Sequence, residues 1–100
     1  MKPVRFHPQA RTELREAARY YSSQQPGLGR RFLSAVREAV DRVQGFPLLY
    51  RVIEDDLRQC RVARFPYGLI YRMTTDHIEI IAVMHLHREP GYWRSRLGLR

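Results

Sequence analysis

One hundred residues, 44% of them apolar, suit one small domain over residues 1–100 and leave little chain for a second. No run approaches the roughly 18 apolar residues of a membrane span. Met1–Pro8 lacks the apolar core of a signal peptide, and Cys60 is the only cysteine, which excludes an intrachain disulfide and leaves a cytoplasmic protein with no membrane association as the expectation. The net charge of +8 is carried by 17 Arg and one Lys against ten acids; a guanidinium fork grips phosphate or carboxylate with two bonds, so nucleic acid or an acidic protein is the expected partner.

Residues 3–6 fit a short first strand. Pro8 then suits the first turn of a helix, where its missing N–H costs nothing. Ala10, Leu14, Ala17, Ala18 and Tyr21 follow at spacings of one helical face. That helix should stop before Gln25-Pro26-Gly27. A second helix runs from about residue 27 or 28 to Gln44, with Leu28, Phe32, Val36, Ala39, Val40 and Val43 as its stripe. Gly45 is expected in the left-handed position past its end, with Phe46 folding back. The two helices make a hairpin.

Beyond Pro47 the period changes to two. Leu48–Glu54 reads as a loop or weak strand and Leu57–Phe65 as a strand. Pro66-Tyr67-Gly68 reads as a turn. Tyr67, Leu69, Tyr71 and Met73 share one face of the next strand. Ile78, Ile80, Ala82, Met84 and Leu86 share one face of the last, and Ile81 and Val83 opposite them mark it as buried on both sides. The expected architecture is α+β in the order β-α-α-β-β-β, a helical hairpin packed on a small, mainly antiparallel, twisted sheet. Residues 88–100 should form a loop and a tail packing through Tyr92 and Trp93.

Several clusters carry potential chemistry. Arg11, Arg15 and Arg19 recur every four residues on the first helix, as a solvated face or as a surface for an acidic partner or for phosphates. Arg58, Arg61, Arg64 and Arg72 fall on neighbouring strands and could hold phosphate, although their parities do not place them all on one face. His85 and His87 end the last strand. Two His are too few for zinc, and His7, His77 and Cys60 add no recognisable spacing, so no metal is expected. His85 could act as a general acid or base, or be a hydrogen-bonded structural residue. Cys60 reads as a buried small hydrophobe. Trp93 reads as a cap on the core, and Tyr92 either joins it or stays free to stack.

The stretches FHPQARTELREAARYY, PGLGRRFLSAVREAVDRV, ARFPYGLIYRM and HIEIIAVMHLHREPGYW together resemble the RelE/ParE superfamily of bacterial toxins over nearly the whole chain. The resemblance implies the toxin half of a type II toxin–antitoxin module, of the plasmid-stabilisation kind. Such a growth inhibitor is neutralised by a cognate antitoxin in a hetero-oligomer and uses no cofactor. An acidic or amphipathic antitoxin segment would suit the +8 charge, with Arg11, Arg15 and Arg19 as the expected antitoxin-binding positions. Two activities divide the superfamily. RelE-like members are metal-independent, ribosome-dependent mRNA endonucleases, for which His85, Arg88 and Tyr92 would be the catalytic positions and Arg61, Arg64 and Arg72 the phosphate-binding ones. ParE-like members inhibit DNA gyrase and cleave nothing. Glu54, Asp55 and Asp56 stand where RelE-like enzymes tend to be basic, and His87 stands where the family usually has Arg. These departures favour the ParE-like alternative.

Overall fold

A computed structural model describes residues 1–98. Strand β1 (Val4–Phe6) leads into helix α1 (Pro8–Gln24), then α2 (Leu28–Gly45). Four strands follow: β2 (Arg51–Glu54), β3 (Leu57–Arg61), β4 (Tyr67–Met73) and β5 (Ile78–His85), and a short 3-10 turn spans Arg94–Leu97. The sheet order is β1-β5-β4-β3-β2. β1 runs parallel to β5 and every other pair is antiparallel.

Local chemistry sets the helix bounds. Pro8 opens α1, and the His7 Nδ1 accepts the Gln9 N–H at 3.1 Å, relieving one of the unpaired donors of the first turn. Gln25 is extended (φ −161°), as a residue before proline should be, and ends the helix. Gly27 (φ +83°) then turns the chain into α2. At Gly29 a Cβ would lie 2.5 Å from the Ala18 carbonyl oxygen, so glycine is what lets the helices approach so closely. The far end of α2 differs from the expectation. Gly45 is its last helical residue, without positive φ, and Phe46 (φ −140°, ψ 63°) is 65% exposed instead of folding back.

The sheet departs from simple alternation in three places. The segment expected as a loop or weak strand forms β2, so the architecture stands with one strand more; Asp55 supplies the left-handed turn (φ +50°) into β3. β3 is shorter than expected, because Arg64 takes φ +71° and the Val62 N–H donates to the Tyr67 carbonyl at 2.9 Å, closing a tight loop. In β5 the register with β4 slips: Ile70 faces Ala82, but Tyr71 faces Ile80. Ile81 is thus the extra residue of a bulge. Ile78, Ile80 and Val83 therefore pack on the helix side with Leu69, Tyr71, Phe32 and Val43. Ile81, Ala82 and Met84 pack on the opposite face with Leu57, Ile70 and Trp93. The single face expected for Ile78 through Leu86 is split in two by this one residue. β5, covered on both faces and flanked by β1 and β4, is an interior strand as expected.

The outer face is closed by the segment after β5. Trp93 is buried against it, with Leu97 and Tyr92 beside it, matching the expectation of a tail packing through Tyr92 and Trp93; Leu99 and Arg100 lie outside the described residues. Cys60 is buried on the helix side and burial pushes its thiol pKa up, so it behaves as a small hydrophobe. Among the described residues no helix is long and apolar enough to cross a membrane.

Candidate functional site

The bulge in β5 decides where His85 points. Past Ile81 the odd-numbered residues face the helices, so the His85 ring meets the Tyr67 ring edge-on (5.1 Å between centroids) under α1. Its Nδ1 accepts the His87 N–H at 3.1 Å, and its carbonyl accepts the Arg88 N–H at 3.0 Å. The tight turn sends Arg88 back over the strand end, where its guanidinium stacks 3.6 Å from the centre of the Tyr92 ring. A cavity of about 230 Å³ opens here between Glu13, Glu16, Tyr20, Tyr67, His85 and Arg88. The three positions implied as catalytic, His85, Arg88 and Tyr92, thus come together.

A fourth residue, absent from the sequence expectations, lies beside them. Glu13 reaches in from α1 and its carboxylate accepts the Val83 N–H at 3.0 Å, a donor at the bulge. The same carboxylate takes both guanidinium nitrogens of Arg96 at 2.9 Å, and Arg88 lies 3.5 Å from it. Arg96 also donates to the Ile81 carbonyl at 3.0 Å. The bulge's exposed backbone groups are therefore satisfied by one ion pair, which buried polar groups require. Glu13 raises the Arg96 pKa through these bonds. Glu13 was legible in principle: it lies three residues after Ala10 and four before Ala17, on the buried stripe of α1, and a carboxylate there needs a partner.

Tyr92 is held between two cations, Arg88 at 3.6 Å and Arg96 at 5.1 Å from its ring centre. Its hydroxyl is buried beside Glu13 without a hydrogen bond. Burial, and then the Glu13 carboxylate, push its pKa well above the usual tyrosine range. Such a group neither gives nor takes a proton readily near neutral pH. The His85 and His87 rings are 5.2 Å apart, and among the described residues no third His, Cys, Asp or Glu joins them as a metal site would require.

The implied phosphate-binding arginines do not join this cluster. Arg72 pairs across the sheet with Glu79, at 3.1 Å from both Nε and a terminal nitrogen. Arg61 lines a cavity with Leu49, Tyr50, Arg51 and Gln59, whereas Arg64 lines another with Arg30, Arg31 and Phe65. Arg58 is occupied by the carbonyls of Leu48 and Tyr50, at 3.2 and 2.7 Å. Glu54 is bound by Arg94 (2.6 and 2.9 Å), and that bond holds its pKa below the usual carboxylate range. Arg11, Arg15 and Arg19 all lie exposed on α1, with Arg11 stacked 5.1 Å from the centre of the Phe6 ring.

A helical hairpin joining the two edge strands β1 and β2, over a sheet that is antiparallel except for the β1–β5 pair, is the α+β fold of RelE/ParE-like toxins. The model of the family described as ParE toxin of type II toxin-antitoxin system, parDE, matches residues 4–90, and the chain belongs to that family. A solved structure titled "Chromosomal ParDE TA system from P. aeruginosa" shares the fold, with a TM-score of 0.64 at 16% identity, over 87% of this chain and 98% of that one. No curated protein sequence matches the chain. The family match stops short of Gly91, so the segment bearing Trp93, Arg94 and Arg96 lies past it.

Proposed function

We propose that this ParE-family toxin acts on DNA gyrase by binding, without cleaving nucleic acid, and that a cognate antitoxin neutralises it. Membership in the ParE family points to gyrase. The observation that carries the reading against nuclease chemistry is the carboxylate of Glu13 at the centre of the candidate catalytic cluster. Phosphodiester cleavage through a 2′-OH builds negative charge, which the site must stabilise with convergent donors. Here Glu13 engages Arg88 and Arg96, the Tyr92 hydroxyl is buried and hard to ionise, and Arg61, Arg64 and Arg72 face three other surroundings.

The antitoxin seat fits the hairpin. Phe6, Leu14, Leu33, Val36 and Val40, together with Arg37 and Asp41, line a mainly apolar groove of about 350 Å³ between β1 and the two helices. Arg11 stands on its Phe6 wall, and Arg15 and Arg19 continue that exposed cationic row along α1. An amphipathic segment with acidic residues beside its apolar face suits both features. The test is induced expression with and without the antitoxin, scoring the DNA-damage response and, by primer extension, mRNA integrity. Growth arrest with DNA damage, intact mRNA and rescue by the antitoxin is expected, and His85→Ala with Arg88→Ala should not convert one phenotype to the other. Cleaved mRNA that becomes intact in that double variant would establish the RelE-like alternative instead.

A further inference from the structure

Seven large apolar side chains are exposed among the described residues, and four of them fall between residues 46 and 52: Phe46 (65%), Leu48 (66%), Leu49 (71%) and Val52 (48%). They lie on the connection into β2 and on β2 itself, the outermost strand, whose far side has no neighbour. The connection is pinned to the sheet. The Tyr71 hydroxyl donates to the Pro47 carbonyl at 2.6 Å, and Arg58 donates to the carbonyls of Leu48 and Tyr50. Beside it Leu49, Tyr50, Arg51, Gln59 and Arg61 line a cavity of about 410 Å³ that contains no carboxylate. Neither the Arg51 nor the Arg61 guanidinium has an ion-pair partner among the described residues.

We propose that the free edge of β2 receives an extended polypeptide segment of a protein partner, carrying alternating apolar and acidic side chains, which adds to the sheet as a sixth strand. An unpaired edge offers backbone donors and acceptors in register, and protein edges are usually blunted when they have no such use. Alternate side chains of an added strand point to the same face, so one set lies against Val52 while the other brings carboxylates to Arg51 and Arg61, which share a cavity with Leu49. The opposite end of β2 turns through Asp55 and Asp56, so the partner's carboxylates belong at the Arg51 end. Nucleic acid is disfavoured because the patch is largely aliphatic and its two free cations are few for a phosphate chain. A second copy is disfavoured by the +8 charge each would bring. This surface is separate from the hairpin groove assigned to the antitoxin and goes beyond that reading.

The experiment measures fluorescence anisotropy of a labelled peptide of alternating valine and glutamate, titrated with the full chain. Three probes accompany it: the same peptide with lysine for glutamate, the same peptide with alternate amides N-methylated, and a single-stranded oligonucleotide. Saturable binding of the first is expected, with about tenfold weakening or more for the other peptides and for the chain carrying Arg51→Glu and Arg61→Glu. Absence of saturable binding overturns the proposal, as does equal affinity for the N-methylated peptide or preference for the oligonucleotide. Should the double variant fail to fold, amide shifts of the unaltered chain decide: changes centred on Arg51–Glu54 support the added strand, and changes confined to α1 overturn it.

Discussion

Glu13 and Glu54 each grip an arginine of the C-terminal segment with two short bonds, and burial separates their consequences. The Glu13 and Arg96 side chains are 14% and 8% exposed, whereas Glu54 and Arg94 are 33% and 58% exposed. Removing one partner of a buried pair strands the other charge and costs about 3–5 kcal/mol. Exposed pairs contribute little. Glu13→Ala should therefore lower the urea midpoint far more than Glu54→Ala, and equal losses would mean that the bulge is held by other contacts. Tyr71 gives a pH signature at the same scale. Burial pushes its pKa up to about 12, and its hydroxyl donates to Pro47. A raised folded value means that the neutral phenol is the stabilised form. Its contribution is complete below about pH 10, the ordinary tyrosine value, and is lost as pH rises through about 12. Alkaline unfolding curves should show this loss and Tyr71→Phe should flatten it; identical curves would contradict the assignment.

Helix bounds were legible because they rest on proline, glycine and a 3.6-residue period within a few residues of one another. Pro8, Pro26 and the Phe32–Val43 stripe place α1 and α2 almost to the residue. The bulge at Ile81 was not legible, because Ile80, Ile81, Ala82 and Val83 are all apolar and any parity fits them. Periodicity identifies a face only where polar residues mark the other. The consequence reached the site, since the bulge moves His85 to the helix side beside Glu13 and Tyr67. β2 was ambiguous for a related reason: four residues on an edge, with Val52 and Ile53 adjacent, carry no clear alternation. The hairpin offers a further test. A methyl group at position 29 would meet the Ala18 carbonyl oxygen at 2.5 Å, and backbone cannot swing away as the nearby Ser22 hydroxyl can. Gly29→Ala should cost about 1–3 kcal/mol by forcing the helices apart, despite alanine's better helix propensity. A stabilised Gly29→Ala variant in thermal unfolding would show that the hairpin is not close-packed there.

Across the whole molecule the +8 charge is distributed, not focused. Arg72, Arg94 and Arg96 are paired with carboxylates, Arg58 holds carbonyls, and Arg61 and Arg64 line separate cavities. The sequence motifs identify the superfamily, since they sit on the strands and helices that build its fold. The target was harder to read, because whether arginines converge depends on parity, loop geometry and partner carboxylates contributed from far along the chain; the Glu13–Arg96 pair spans 83 residues. Supercoiling of relaxed plasmid by purified DNA gyrase, in the presence of the purified chain, tests the central claim most directly. Inhibited supercoiling or stabilised cleavage complexes at micromolar chain, reversed by the antitoxin, is the predicted result. Unaffected supercoiling, with ribosome-bound mRNA cut by the chain and spared by His85→Ala, would contradict it.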